Sequence, residues 1–235
     1  MTAGHPDVER SVALLQGLQE AGADVIEVGV PFSDPMADGA VIQASSQKAL
    51  ENGVRLDGVL DIVSRAELSI PIVLFSYLNP LLRGGPEALQ RAADAGVHGV
   101  LVIDLPLGSD PEREEWFADG PLPFIRLVAP TTPQARMSEI AKTGSGFVYL
   151  VSRLGVTGER QELPPDLPAT AARVRAATSL PLCVGFGISR PEQARAVAQI
   201  ADGVVVGSAI VRAADQSVDA ALALAASLRR AIDGD

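Results

Sequence analysis

Three carboxylates fall within one short stretch, Glu27, Asp34 and Asp38. Glu27 interrupts an otherwise apolar, β-branched run, Val25-Ile26-Glu27-Val28-Gly29-Val30, that reads as a buried parallel strand. A carboxylate in such a strand is costly unless it is paired or has chemistry to do. Pro31, Pro35 and Gly39 then shape a long loop carrying Asp34 and Asp38. One acid on a rigid strand and one on the loop at its carboxyl end could work as an acid/base pair. A bland alternative stays open, in which Glu27 pairs with a neighbouring Arg or Lys and the two aspartates are turn residues.

The other end of the chain offers a place for an anion. Gly185-Phe186-Gly187-Ile188-Ser189 and Gly207-Ser208-Ala209-Ile210-Val211 each follow a predicted strand, and the second leads into a short helix. Glycines let backbone N–H groups approach an oxyanion, and a helix N-terminus adds a favourable dipole. Ordinary strand-to-helix turns are the alternative. Gly155-Val156-Thr157-Gly158 lies in a long polar loop and reads either as a lid or as an inert surface loop.

These segments need a scaffold that brings them to one face. Apolar periodicity and Gly/Pro punctuation predict strands near 25, 72, 100, 123, 147, 181 and 204, with helices between them. The helices fall over 7–21, 41–52, 55–67, 86–95, 111–118, 133–142, 167–177, 191–200 and 217–232. Asn79-Pro80 and Gly84-Gly85 are read as loop. Strict alternation argues for a parallel sheet. The polar, Gly-rich segments all follow strands, which favours a (β/α)8 barrel over an open doubly wound sheet, because a barrel's loops share one active face. Seven strands are one short of eight. The expectation is a single (β/α)8 barrel domain over 1–235 whose first strand is missing or reduced to Thr2-Ala3-Gly4.

Composition narrows the classes. The chain has 235 residues, 47% of them hydrophobic and only 4% aromatic, so the core is aliphatic. A net charge of −10 argues against a broad basic nucleic-acid surface. Cys183, the single cysteine, excludes an intrachain disulfide or a cysteine metal cluster and reads as a small core residue. His5 and His98 do not suggest a zinc site. Neither a membrane-length apolar run nor a signal sequence is visible, so a soluble cytoplasmic protein is expected. Lys48 and Lys142 both fall in predicted helices, which counts against a Schiff-base aldolase.

Taken together, the motifs resemble a known family. The stretch from Glu27 to Gly39, Tyr77-x-Asn79-Pro80, Asp104-Leu105-Pro106, Ala129-Pro130-Thr131-Thr132 and the three Gly-rich loops are similar, in order, to the signatures of the tryptophan synthase α subunit. That resemblance implies a TIM-barrel lyase cleaving indole-3-glycerol phosphate to indole and glyceraldehyde 3-phosphate, here with the family's N-terminal helix and most of its first strand missing. It implies Glu27 as general acid/base and Asp38 as the second catalytic carboxylate. Phe75, Tyr77, Leu101, Leu127, Tyr149 and Phe186 would shape the indole pocket. Gly158, Gly187, Gly207 and Ser208 would hold the phosphate, and Thr157 would close over Asp38. It also implies no metal and no cofactor in this chain, with pyridoxal phosphate confined to a β-subunit partner in an α2β2 heterotetramer. Asp34, Pro35, Asn79 and Pro80 would form the partner surface. Two other readings are a stand-alone indole-releasing lyase and a catalytically impaired barrel that only binds a phosphorylated ligand.

Overall fold

The computed structural model describes residues 1–151, 163–185 and 187–234. The chain opens with α1 (Val8–Glu20), β1 (Ile26–Gly29), α2 (Ala40–Glu51) and α3 (Leu56–Ala66). It continues through β2 (Ile72–Ser76), α4 (Leu78–Arg83), α5 (Ala88–Asp94), β3 (Gly99–Val102) and α6 (Pro111–Ala118). Next come β4 (Phe124–Val128), α7 (Gln134–Lys142), β5 (Val148–Val151), α8 (Leu167–Arg175) and β6 (Leu182–Gly185). The last elements are α9 (Pro191–Ala198), β7 (Gly203–Val204), α10 (Ser208–Gln216) and α11 (Val218–Asp233).

The strands form one seven-stranded sheet in sequence order, every neighbouring pair parallel. Helical crossovers of one hand between successive strands produce this order. Before β1, the chain start runs alongside that strand. Gly29 N–H donates to Met1 O at 2.7 Å, Ala3 N–H donates to Gly29 O at 3.0 Å, and Thr2 forms a parallel bridge with Gly29. Thr2 and Ala3 thus pair with the end of β1.

Strand alternation sorts the side chains into two layers. Ile26, Val28, Ile72, Leu74, Val100, Val102, Phe124, Val148, Leu150, Leu182 and Val184 turn outward and pack with the helices in the main core. Val73, Leu101, Ile125 and Tyr149 turn inward and form a second cluster, joined by Phe75, Leu127, Phe147, Val151 and Val205. That inner cluster draws on strands from β2 to the end of β7, so the sheet is curled around its own inner face. Register sets Glu27 opposite Val73, Phe75 opposite Leu101, and Tyr149 opposite Cys183. Glu27 therefore belongs to the inner layer, among side chains that offer it no counter-charge.

One position on β4 breaks the apolar pattern of the outer layer. Arg126 is buried and bonds Glu114 of α6 at 2.8 Å, while its guanidinium lies 4.1 Å from the centre of the Phe124 ring. Glu114 also accepts from Gly108 N–H at 2.6 Å. This pair pins the loop that starts at Asp104-Leu105-Pro106 onto α6.

Three expectations need correction. Asn79 and Pro80 lie in a helix, α4, not a loop. Leu78 N–H at its start is capped by the Asp104 carboxylate at 2.7 Å, a long-range partner invisible to local pattern. Val25, expected in the buried run, is 44% exposed and precedes β1. Cys183 is only half-buried and faces inward, against Gly203, rather than sitting in the helix-packed core. No helix among the described residues is long and apolar enough to cross a membrane.

Candidate active site

A cleft opens at the inner face of the curled sheet. Its polar walls are Glu27, Asp38 and Ser208, and its apolar walls include Phe75, Tyr149 and Ile188. Thr2, Gly29, Ile42, Gly187, Val205, Gly207 and Val211 complete the lining near Met1. A concave apolar site with a few converging polar groups is the form expected of a small-molecule site.

Glu27 is held by β1 at the cleft floor. Its Oε1 is buried and has no hydrogen-bond partner among the described residues. Burial raises its pKa from 4.5 to about 7, with the Met1 ammonium pulling the other way. A carboxyl group with a pKa near neutrality can both give and take a proton. Its charge in turn adds to burial in pushing the Tyr149 hydroxyl up, and the Cys183 thiol to about 12. Tyr149 and Cys183 therefore stay neutral beside it.

Asp38 reaches the cleft from the loop after β1, and is buried. Pro35 turns that loop so that Asp38 N–H donates to Pro35 O at 3.0 Å. Gln43, from the first turn of α2, donates to Asp38 O at 2.8 Å. The Tyr77 hydroxyl donates to Asp38 Oδ2 at 3.0 Å and accepts from Ala37 N–H at 3.0 Å. Burial raises the Asp38 pKa, and the Tyr77 hydrogen bond pulls it back.

The opposite wall is built for an anion. Gly207 is the N-cap of α10 and supplies no side-chain cap, so the first N–H groups of that helix are left for another acceptor. Ser208 adds a hydroxyl at the same point. Gly187, at φ +83°, takes a left-handed conformation that few side chains tolerate. The loop that carries it is braced by Gln193, whose Oε1 accepts from Ser189 N–H at 2.9 Å and Arg190 N–H at 3.1 Å. Two carboxylates facing an uncapped helix N-terminus across an apolar cavity can bind a phosphorylated apolar molecule and move protons on it.

Of the residues singled out in the sequence, the cleft brings together Glu27, Asp38, Phe75, Tyr149, Gly187, Gly207 and Ser208. Tyr77 stands behind Asp38 and does not line the cleft. Leu101 is fully buried in the inner cluster beneath the cleft, and Leu127 packs against that cluster. Thr157, Gly158 and Phe186 lie outside the described residues. Asp34 and Asn79 are exposed and share a groove with Pro80, while Pro35 is half-buried next to Met36, which is 81% exposed. Sequence reading did not assign Thr2, Gly29, Ile42 or Val205 to the site, and it named Ile188 and Val211 only as parts of the Gly-rich segments. Val211 follows Ser208 by three residues on α10, and that spacing is a usable signal, whereas Ile42 is on α2 and Asp38 on the loop before it.

Comparison with known proteins places this geometry in a family. The sequence profile described as "Tryptophan synthase alpha chain" matches residues 1–232. The tryptophan synthase alpha chain of Desulfatibacillum aliphaticivorans is 48% identical over 222 residues, covering 93% of this chain and 84% of that protein. That of Synechococcus elongatus is 47% identical over 238 residues, covering 99% and 90%. Among solved structures, Mycobacterium tuberculosis tryptophan synthase superposes with a TM-score of 0.90 at 37% identity, covering 99% of this chain and 90% of that one. Tryptophan synthase subunit alpha from Legionella pneumophila gives 0.90 at 36% identity, covering 100% and 91%. With a family profile over nearly its whole length, and relatives near half identity, this chain belongs to the tryptophan synthase alpha chain family.

Proposed function

We infer that Glu27 and Asp38 carry out this chain's reaction, the family's cleavage of indole-3-glycerol phosphate to indole and glyceraldehyde 3-phosphate in tryptophan biosynthesis. The observation that carries the assignment is the Glu27 carboxylate, buried with one unpartnered oxygen in a cleft that also holds Asp38 and the N-terminus of α10.

The chemistry needs two proton movements and one stabilised cation. Protonation at indole C3 makes an indolenine whose ring nitrogen is cationic. Glu27, titrating near neutrality, delivers that proton. Asp38 accepts a hydrogen bond from the indole N–H and stabilises the positive charge that grows there. The bond between C3 and the side chain then breaks, its electron pair restoring the aromatic ring. The hydroxyl on the departing carbon loses its proton to the now-ionised Glu27 as the aldehyde forms, and Glu27 regains its starting state. The phosphate, held at Gly187, Gly207 and Ser208, anchors the departing fragment through backbone N–H groups. Phe75 and Tyr149 present apolar surface to the indole ring.

The α chain of this family needs no cofactor; pyridoxal phosphate is used by the β subunit. We assign Asp34, Pro35, Asn79 and Pro80 to the surface that meets that β subunit in an α2β2 assembly. The exposed Met36 beside them adds apolar area suited to a contact. Residues 1–235 act as one domain. The direct test follows indole release from indole-3-glycerol phosphate by the purified chain, alone and with a β subunit. Indole and glyceraldehyde 3-phosphate in equal amounts are expected, faster with the partner. No indole under either condition overturns the reading.

A further inference from the structure

We propose that Tyr77 is a positioning residue for Asp38: its hydroxyl fastens Oδ2 to the end of β2 and leaves Oδ1 as the oxygen offered to substrate. This rests on the assignment of Asp38 made above. The sequence motif alone had put Tyr77 in the apolar wall of the pocket. The structure instead sets it behind the acidic loop, 3% exposed, with its ring against Phe32 at 5.0 Å between centroids.

The hydroxyl is used twice on adjacent residues. It accepts from Ala37 N–H at 3.0 Å and donates to Asp38 Oδ2 at 3.0 Å. The first bond fixes the direction of the O–H, so the second meets the carboxylate in one orientation. Asp38 Oδ1 accepts no protein hydrogen bond among the described residues, so its full accepting capacity is left for a substrate N–H, while Oδ2 already shares its lone pairs with Tyr77. The loop otherwise reaches Asp38 through backbone contacts, the Pro35 turn and the Gln43 bond. Neither holds the carboxylate itself. Tyr77 also begins α4, whose first N–H is capped by Asp104, so its backbone is anchored to β3 as well as β2. A carboxylate on a loop is thereby tied to the rigid sheet by one phenol.

The donor role is secure electrostatically. Burial, and then the Asp38 charge, push the Tyr77 hydroxyl upward, so it keeps its proton across the working pH range. The acidic groups acting on this pair are Asp38 itself, from the loop after β1, and Asp104, from the end of β3, while Glu27 lines the same cleft as Asp38.

The test is steady-state indole release by Tyr77→Phe, Asp38→Asn and the double variant, with thermal melts as a check on folding. Loss of one hydrogen bond to a charged group predicts a kcat about 10-fold lower for Tyr77→Phe. KM should move less than about twofold, since uniform binding is untouched. The acid limb of the kcat profile should rise, because Asp38 loses a donor that favours its ionised form. In the Asp38→Asn background, Tyr77→Phe should lower kcat no further. Tyr77→Leu removes the same hydroxyl with different packing and must shift the limb in the same direction, so a variant that melts early does not leave the idea without a test. A wild-type kcat and acid limb in Tyr77→Phe, with Asp38→Asn impaired, overturns the proposal and leaves the function standing. Additive losses in the double variant overturn it too, since Tyr77 would then act independently of Asp38. A wild-type rate in Asp38→Asn removes the catalytic assignment and the proposal with it.

Discussion

The Tyr149 hydroxyl occupies the space that a β-carbon on Gly185 would need. Tyr149 projects from β5 and Gly185 ends β6, so the ring leans across the neighbouring strand at the cleft. Glycine is required here for close approach rather than for backbone conformation, since Gly185 is not among the glycines of positive φ.

Replacing Gly185 with alanine should therefore displace Tyr149 rather than distort β6. The ring would turn into the cleft and narrow it. We expect kcat/KM to fall at least about 10-fold, with about 1–3 kcal/mol of stability lost to overpacking. Activity within twofold of wild type, in a variant that melts normally, would mean the Tyr149 position does not matter to the reaction.

Ser208→Asp separates helix stability from anion binding. A carboxylate in the first turn of α10 is favourable to the helix dipole, by about 0.3–1 kcal/mol. The same charge repels a phosphate at that N-terminus. The melting temperature should hold or rise while KM for the phosphorylated substrate climbs at least about 10-fold. Unchanged KM would remove the phosphate from this end of the cleft.

Glu27 should make stability depend on pH in an unusual direction for an acid. Its pKa is raised in the folded chain from 4.5 to about 7, so folding favours the protonated form. That contribution is fully present below about pH 4.5 and is lost as pH rises through about 7. Glu27→Gln, which cannot ionise, should be more stable than wild type at pH 8 by about 3 kcal/mol, with the gap closing toward pH 4. Urea denaturation across that range reads the difference directly. A Glu27→Gln variant less stable than wild type at pH 8 would show that the carboxylate finds a partner in solution.

Much of the scaffold was legible because its strands are short apolar runs bounded by Gly and Pro, and helices separate them with regular periodicity. Seven parallel strands in sequence order follow from that alternation. Glu27 stood out as a charge inside such a run, and the glycines at 187 and 207 as anion-friendly turns. What stayed hidden depends on distant partners. The helix at Asn79-Pro80 is capped by Asp104 from another strand. Tyr77 looks like pocket wall in a motif, and only its two hydrogen bonds place it behind Asp38. Leu101 is apolar and on an inward-facing position, but it is buried against Val73, Ile125 and Tyr149 and does not line the cleft. The buried Arg126–Glu114 pair left no signal, because alternation alone makes an Arg in a strand look solvent-facing.

The division of labour between the two carboxylates is tested most directly by the rate of indole formation from indole-3-glycerol phosphate in Glu27→Gln and Asp38→Asn, compared with wild type across pH. Loss of a proton-transfer group predicts a kcat for Glu27→Gln lower by about 10²–10⁴-fold, with no remaining titration near pH 7. Asp38→Asn should lose at least about 10-fold in kcat while keeping that titration. Full wild-type turnover in either variant would contradict the account.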